Sequence, residues 1–359
     1  MQEMKLKIAY YLTCFLLVFF IPMIASGFEL DFPDKAVRET DASANTGGVK
    51  NASEEEPASR IAGGDAAAAE TFTVRGDGKL HIYNETAGTV DELSLYDYTR
   101  GAIAAEMPPD FHLEALKAQG VASLSYALRR RQDALAAGED YDFSADPEKR
   151  LGYTTEENAR RDYGDSFEIN WAKVTKAADE AVKYVMVYDG EPILAAYHAI
   201  STGMTESAEN VWGGAVPYLV PAESGGDRLA PEYETTAVFS PEEVSAALVG
   251  AAPETKLPDD AGEWFSAPEL TPSGYVSQIE AGGVYFTGVQ VREALSLRSS
   301  AFSVSFAGGA FTFTVRGYGH GVGLSQRGAD YMARQGADFR TILEHYYTGA
   351  ALCLLELSG

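Results

Sequence analysis

The chain has 359 residues and a formal net charge of −25, and 46% of its residues are hydrophobic. The apolar content is sufficient for a sizeable folded core. The acidic charge excludes an extended binding surface for nucleic acid or anionic lipid, because both require basic patches. Only two cysteines occur, Cys14 near the N-terminus and Cys353 near the C-terminus, so the chain is not a small disulfide-stabilised scaffold.

Residues 8–27 are almost wholly apolar, follow two lysines and precede several acidic residues. Such a segment is long enough to cross a hydrocarbon core of about 30 Å, and the charges around it place the N-terminus in the cytoplasm. Small residues at 25–27 also resemble a signal-peptidase site. We therefore predict that residues 1–28 form a transmembrane anchor or a cleaved signal, and that the rest of the chain is extracytoplasmic at the cell membrane.

Residues 29–70 are polar and alanine-rich with little hydrophobic periodicity, which predicts a disordered linker. Alternating residues follow at 72–75 and 79–83 around a glycine-containing turn, and this pattern predicts a β-hairpin. Residues 71–359 are then one domain. The charged stretch after residue 138 makes residues 139–184 a possible inserted lobe within it.

The most informative segment is residues 105–119. Two prolines follow Glu106 closely and fix their own backbone angles, so Glu106 lies on a stiff turn. Asp110 is the predicted N-cap of a long helix that runs to about residue 137, and Gly138 is its predicted end. A glutamate in this position is often a surface residue stabilised by the helix dipole. The stiff setting equally suits a residue that must keep its geometry.

Later segments alternate between strand and helix patterns. Strands are predicted at 185–188, 192–197, 275–279, 301–306 and 311–315, and helices at 325–335 and 338–347. These patterns do not form a regular βαβ series. The sequence therefore predicts an α+β fold with mixed or antiparallel sheets and a long helix bordering a groove.

A glycine-rich segment, residues 317–328, places four glycines alternately with Tyr318, His320 and Val322. Alternating glycines remove side chains from one face, so that backbone or a ligand can approach closely. Two interpretations remain open: tight packing, or the floor of a groove into which His320 points. The Gly-x-Ser-x-x-Gly spacing at 323–328 does not match a nucleophile elbow, which excludes a serine hydrolase of that type.

Three blocks occur in a fixed order: residues 105–119, residues 196–206 with the following 210–219, and residues 317–329. They resemble the SpoIID/LytB family, from about Thr71 to about Leu352. The resemblance implies a lytic transglycosylase, a lyase that cleaves the MurNAc–GlcNAc linkage of peptidoglycan glycan strands and leaves 1,6-anhydromuramyl ends. It further implies a preference for strands lacking stem peptides, septal cell-wall degradation during engulfment in sporulation, and action beside an amidase and a membrane scaffold.

A second interpretation belongs to another class of protein. A non-catalytic, peptidoglycan-binding module that enhances an amidase is also associated with this family. The carboxylate at Glu106 favours the enzyme, because a pure binding module would tolerate glutamine there.

The resemblance assigns the family's catalytic glutamate to Glu106, acting first as general acid and then as base. The predicted helix N-terminus opposes this role, because its dipole favours the ionised carboxylate whereas an acid catalyst needs a raised pKa. Desolvation must therefore outweigh the dipole. Met107, Phe111 and a bound sugar are the candidates to provide it.

Substrate contacts are expected from the long helix, from the segment after residue 196 and from the glycine-rich segment. A solvated helix face is an equal alternative for Lys117 and Gln119, as is a buried core position for His198. Trp212 and Tyr218 are candidates to stack on sugars, although such rings are more often part of a core. The predicted substrate-binding residues are Lys117, Gln119, Tyr126, Tyr197, His198, Ser201, Thr202, Thr205, Glu206, Tyr318, His320, Ser325 and Gln326.

Neither a metal ion nor a cofactor is expected. His320 and His345 lack the spacing of a zinc motif, and no His-Glu-x-x-His sequence occurs. The resemblance implies that some family members hold zinc with a His/Cys cluster after the long helix, but residues 144–164 contain neither residue type. What braces this segment is left open by the sequence.

Overall fold

The computed structural model describes residues 70–358. The predicted anchor or signal at residues 1–28 and all but the last residue of the predicted linker at 29–70 lie outside the described residues. Within residues 70–358, no helix combines the length and the apolar composition needed to cross a membrane. This part of the chain has an α+β fold, as predicted, with several small sheets of mixed and antiparallel strands.

Two consecutive helices lie at the centre of the first core. Helix α1 spans Leu95–Glu106 and is not predicted by the sequence analysis, whereas helix α2 spans Leu113–Ala137 and confirms the predicted long helix. Helix α2 ends as predicted at Gly138, which adopts a left-handed φ of 73°. Together the two helices bury an apolar surface that continues into the C-terminal helices.

The start of α2 differs from the predicted one. The amide of Phe111 donates to the carbonyl of Pro108 at 3.1 Å, so Asp110 lies in a turn before the helix. The N-cap is His112, whose side chain accepts the amide of Glu114. The prediction of Asp110 as the N-cap is therefore wrong.

One mixed sheet joins the beginning and the end of the described chain. Strand β1 (Thr71–Arg75) pairs in parallel with the C-terminal strand β15 (Ala351–Ser358). Strand β15 pairs on its other side with β5 (Tyr184–Tyr188), which forms a hairpin with β6 (Glu191–Pro192). The predicted strand at 185–188 is thereby confirmed.

The second sheet is formed by β2 (Lys79–Asn84), β3 (Thr89–Ser94) and β4 (Phe143–Ala145). Strand β2 pairs antiparallel with β3 and parallel with β4, but it has no pairing with β1. The predicted hairpin of residues 72–83 is therefore wrong. Strand β1 pairs instead with β15, from the other end of the described chain. The glycine turn after β1 therefore connects two different sheets.

Helices α3 (Glu156–Tyr163) and α4 (Phe167–Ala181) follow β4. Side chains of α4, among them Val174 and Ala178, are fully buried in the same core as residues of α1 and α2. The stretch 139–184 thus contributes both a strand and a helix to the packing around α2.

Residues 234–316 surround a separate hydrophobic core, and we call this unit the second lobe. Its elements are β8 (Glu234–Phe239), α6 (Pro241–Ala251), β9 (Glu269–Leu270), β10 (Val276–Ala281), β11 (Val284–Phe286), α7 (Gly288–Ala294), β12 (Ala301–Ala307) and β13 (Ala310–Arg316). The strands form two three-stranded antiparallel sheets, in the orders β12-β13-β8 and β11-β10-β9. The predicted strands at 275–279, 301–306 and 311–315 are confirmed as β10, β12 and β13.

A short parallel pair, β7 (Tyr197–His198) with β14 (Leu324–Ser325), lies beside α2. The predicted strand at 192–197 is only partly present, because residues 193–196 form no ladder between β6 and β7. A short helix, α5 (Ala208–Trp212), follows β7. The two predicted C-terminal helices are confirmed as α8 (Gln326–Arg334) and α9 (Phe339–Tyr346).

Candidate active site

Glu106 is the last residue of α1. Met107 follows in an extended conformation (φ −120°, ψ 140°), as expected for a residue before proline. The carboxyl group therefore lies at the negative end of a helix dipole, which opposes its ionisation. The sequence analysis placed it beside the positive end of α2, so the electrostatic objection to an acid role does not apply.

Burial raises the pKa of the Glu106 carboxyl to about 7, although a hydrogen bond from Tyr197 and the positive charge of Arg150 both act to lower it. Met107 and Phe111, the expected shielding residues, are buried in the first core. No Asp or Glu of residues 70–358 contributes to this pKa shift. A carboxyl group with such a pKa can both donate and accept a proton near neutral pH.

A chain of hydrogen bonds through the interior ends at Glu106. Gln326 Nε2 donates to Gln119 Oε1 at 3.2 Å, and Gln119 Nε2 donates to Ser123 Oγ at 3.0 Å. Tyr197 comes next: its side chain interacts with Ser123 and with the Glu106 carboxyl group, and the interaction with Tyr197 acts to lower the pKa of Glu106. These residues therefore favour the carboxylate form.

Gln119 and Gln326 are therefore interior members of this chain. Gln119 is completely buried and Gln326 is 5% exposed. Tyr197 and Tyr126 remain partly exposed, as does Glu106 itself. Among the residues linked to Glu106 in this way, Tyr197 and Glu106 itself are therefore the ones that reach the surface.

The glycine-rich segment is packed tightly against β7. A Cβ atom on Gly323 would overlap the carbonyl oxygen of Ala196, and one on Gly319 would lie 2.8 Å from the Cβ of His198. Both glycines also have positive φ angles, 72° and 106°. The close approach and the backbone conformation both require glycine. The glycine side of this segment is filled by protein, and this packing sets the position of Tyr197.

His198 and His320 bind the two backbone polar groups of one residue, Val322. The Val322 amide donates to His320 Nδ1 at 3.0 Å, and the Val322 carbonyl lies 3.1 Å from His198 Nδ1, which must therefore carry the proton. Burial lowers the pKa of His198 to about 4 and that of His320 well below its ordinary value. Both rings are consequently neutral at neutral pH. Trp212 packs against His320 with a ring separation of 5.3 Å.

Asp227 is a buried carboxylate that the sequence analysis does not identify. Its oxygens accept the Ser201 amide at 2.8 Å, the Ser201 hydroxyl, and the Ser325 hydroxyl at 2.8 Å. Burial raises the pKa of Asp227, and the hydrogen bonds from these serines oppose that rise. Ser201 and Ser325 are completely buried, so both brace the turn after β7 and the start of α8. A lone aspartate in an irregular segment gives no sequence signal for this arrangement.

Thr202, Thr205 and Glu206 lie where the first core meets the second lobe. Thr202 Oγ1 donates to the carbonyl of Ser273 at 2.6 Å, and Glu206 accepts a hydrogen bond from the Thr271 hydroxyl. The Thr205 hydroxyl accepts the amide of Ala222, in the segment after α5. All three predicted site residues are buried. The contacts of Thr202 and Glu206 hold the lobe against the segment that follows β7.

Three further predicted residues have other neighbours. Lys117 forms an ion pair with Glu114 at 2.6 Å and lies over the ring of Phe339, on the side of α2 that faces α9. Tyr318 is 2% exposed, and the guanidinium of Arg298 lies over its ring. The Tyr218 hydroxyl oxygen accepts the amide of Leu194 at 2.9 Å, and the ring packs in the core.

The partly exposed side chains that remain together are the candidate site: Glu106, Tyr126, Tyr197, Trp212 and His320. The structure thus brings residues from all three blocks together around Tyr197. Two surface cavities of about 520 and 290 Å³ lie elsewhere, beside β15 and in the second lobe. In residues 70–358, no group of three or more His, Cys, Asp or Glu side chains is arranged to hold a metal ion.

Comparison with known proteins is consistent with this arrangement. The SpoIID family model, described as "Stage II sporulation protein", matches residues 83–188, which include Glu106 and all of α2. The chain is 32% identical over 269 residues to stage II sporulation protein D of Bacillus amyloliquefaciens, covering 75% of this chain and 76% of that protein. The chain belongs to the SpoIID family.

Two further relatives show the breadth of this SpoIID relationship. Stage II sporulation protein D of Bacillus subtilis (strain 168) is 31% identical over 278 residues, covering 76% of this chain and 78% of that protein. A protein named amidase enhancer, from the same organism, is 25% identical over 304 residues, covering 70% of this chain but 40% of that protein. Glu106 lies within the residues that the SpoIID model matches, and the site around Glu106 is the one considered below.

Proposed function

We propose that this SpoIID-family protein is a peptidoglycan lytic transglycosylase with Glu106 as its general acid and base. The observation that carries the proposal is a single carboxyl group, partly exposed, with a pKa of about 7 and a hydrogen bond from Tyr197. Its role in the cell would be degradation of septal wall during sporulation, in keeping with the names of its relatives. We further propose an extracytoplasmic location, with residues 1–28 as membrane anchor or signal, and an amidase and a membrane scaffold as partners.

The proposed reaction uses one carboxyl group twice. Protonated Glu106 donates its proton to the glycosidic oxygen between MurNAc and GlcNAc as the bond from the muramyl C1 to that oxygen breaks. The C6 hydroxyl oxygen of the same muramyl residue then bonds to C1, and its proton returns to the Glu106 carboxylate. The products are a 1,6-anhydromuramyl end and a strand with a free GlcNAc hydroxyl.

The surroundings of Glu106 support this reaction over simple hydrolysis. A glycoside hydrolase of the usual kind needs a second carboxylate for the attacking water or as the nucleophile. Among residues 70–358, no second carboxylate contributes to the pKa of Glu106. The proposal therefore takes the nucleophile from the muramyl hydroxyl, which is already part of the substrate.

The alternative is a non-catalytic module that binds peptidoglycan and enhances an amidase. The similarity to the protein named amidase enhancer favours it, although that similarity spans 40% of the relative. The raised pKa of Glu106 favours the enzyme, because a binding module has no need of a protonated carboxyl group.

The test is incubation of the full-length protein with glycan strands stripped of stem peptides, followed by mass spectrometry of the products. The enzyme produces 1,6-anhydromuramyl ends, and Glu106→Gln abolishes them while strand binding persists. Glu139→Gln, at an exposed position after α2, is the matched control and retains full activity. Strand binding without new anhydromuramyl ends by the wild-type protein would establish the binding module instead.

A further inference from the structure

The end of α1 contains two carbonyl groups that the backbone cannot satisfy. The carbonyls of Ala104 and Ala105 would ordinarily accept the amides of residues 108 and 109. Both of those residues are proline and have no amide hydrogen. Since Ala104 and Ala105 are buried, another donor must reach their carbonyls.

Arg150 provides that donor. Its Nη2 atom donates to the carbonyl of Ala104 and, at 3.3 Å, to the carbonyl of Ala105. The Tyr163 hydroxyl adds a weaker hydrogen bond to Ala104 at 3.4 Å. The arginine thus occupies the position that two amides would take in an ordinary helix end, immediately before Glu106.

The loop that carries Arg150 is tightly constructed. Asp146 and Leu151 exchange both backbone hydrogen bonds, at 3.0 and 2.9 Å, and Arg150 itself adopts a left-handed φ of 58°. Such a conformation is unfavourable for a side chain larger than glycine and is retained where the surroundings enforce it. The buried Asp146 carboxylate fixes the loop by accepting hydrogen bonds from the Thr86 hydroxyl at 3.0 and 2.9 Å. Polar contacts within residues 144–164 and with Thr86 therefore hold this loop in place.

The guanidinium also places a positive charge beside the Glu106 carboxyl. Asp162 lies 3.7 Å from Arg150 Nη1 and neutralises part of this charge. The other titratable groups that interact with the site are Tyr98, Tyr126 and Tyr197. Burial raises the pKa of all three tyrosines, so they are neutral near pH 7.

We propose that Arg150 is a positioning residue for Glu106: it caps the proline-interrupted end of α1 and holds a positive charge beside the carboxylate that remains after proton donation. This inference rests on the proposed function, because it assigns Arg150 a part in the same acid–base cycle. The loop of residues 144–164 thereby positions Glu106 through a single side chain, that of Arg150.

The experiment compares full-length wild-type protein with Arg150→Met, Arg150→Lys and Arg161→Met. Production of anhydromuramyl ends from stripped glycan strands is measured against pH as kcat/KM. The Glu106 carboxyl is titrated in parallel by NMR with ¹³C-labelled glutamate, with Glu106→Gln to assign its signal. Arg161→Met is the control, because Arg161 also pairs with Asp162 but is largely exposed on α3.

Removal of the charge makes ionisation of Glu106 harder, so in Arg150→Met both the basic limb of the profile and the NMR titration move upward by roughly one pH unit. The plateau falls about tenfold or more, since the carboxyl group is no longer held in place. In Arg150→Lys the basic limb returns to the wild-type pH, but the plateau of kcat/KM stays low. Arg161→Met resembles the wild type in both. A fall in the plateau with no movement of the limb or of the NMR titration would overturn the inference. Wild-type protein without anhydromuramyl production would instead refute the proposed function, while the NMR titration would still test Arg150.

Discussion

Replacing Tyr197 with phenylalanine tests how the carboxylate form of Glu106 is stabilised. The change removes the last hydroxyl of the hydrogen-bond chain and leaves the ring in place. A hydrogen bond to a charged group contributes about 1.5–3 kcal/mol, and one pKa unit corresponds to about 1.4 kcal/mol. We therefore expect the pKa of Glu106, about 7 in the wild type, to rise by roughly one to two units.

The direction of the pH effect follows from the role of the carboxyl group. Glu106 must be protonated to donate, so kcat/KM falls as the pH rises through its pKa in the free protein. In Tyr197→Phe this fall occurs at higher pH. Anhydromuramyl production measured between pH 5 and 10 (roughly two to three units on either side of the pKa) covers both profiles.

Tyr126→Phe is the matched control, because Tyr126 interacts with Tyr197 but does not contribute to the pKa shift of Glu106. The basic limb of its profile should lie at the same pH as that of the wild type, whatever the height of the plateau. If the basic limb of Tyr197→Phe also overlays the wild type, the chain does not stabilise the carboxylate, and the reasoning about Glu106 as a tuned acid fails.

Two other substitutions test the packing behind the site. Gln119→Leu leaves Gln326 without its acceptor, so we expect a loss of about 1–3 kcal/mol in the free energy of unfolding by urea and a lower kcat with little change in KM. A large rise in KM at unchanged kcat would show that Gln119 contacts substrate. Gly323→Ala introduces overlap with Ala196 at a positive φ and should cost about 2–5 kcal/mol. Gly308→Ala has a similar φ but open space around it, so about 1–2 kcal/mol is expected, and equal costs at the two positions would contradict the packing argument.

The sequence predicts the length and the C-terminal end of α2 because helical periodicity and a terminal glycine are local signals. It does not predict α1, because eight of its twelve residues are buried and the polar face is too narrow to give a clear periodic pattern. Gly101 within it, which usually argues against a helix, is required because a Cβ there would lie 3.4 Å from the amide nitrogen of Thr154 and even closer to its carbonyl. Without α1, Glu106 is placed at the wrong end of a helix dipole.

Long-range pairing is the second limit. The alternation at 72–75 is a real strand, but its partner lies more than 280 residues away in β15, and local alternation carries no information about a partner. The hairpin prediction therefore fails although both of its strands exist. The same limit hides the second lobe: three of its six strands are predicted, but its separate core is not.

The three sequence blocks indicate where the site lies, but they do not separate surface from interior. Ser201, Thr205 and Gln119 are residue types that suit a sugar-binding surface, yet each has buried protein partners. Composition cannot distinguish these outcomes, since buried hydrogen-bond networks and sugar sites use the same groups. Arg150 carries no signal because its importance depends on two prolines more than forty positions earlier.

The parallel pairing of β1 with β15 has a mechanical consequence. Tension applied to the chain just ahead of Thr71 pulls along the axis of β1, so its five residue pairs with β15 are loaded in shear and must break together. A hairpin pulled at its open end would instead peel apart one bond at a time. The domain is therefore arranged to resist unravelling when it is strained from its N-terminal side, and the strand that supplies this resistance is the last one in the sequence.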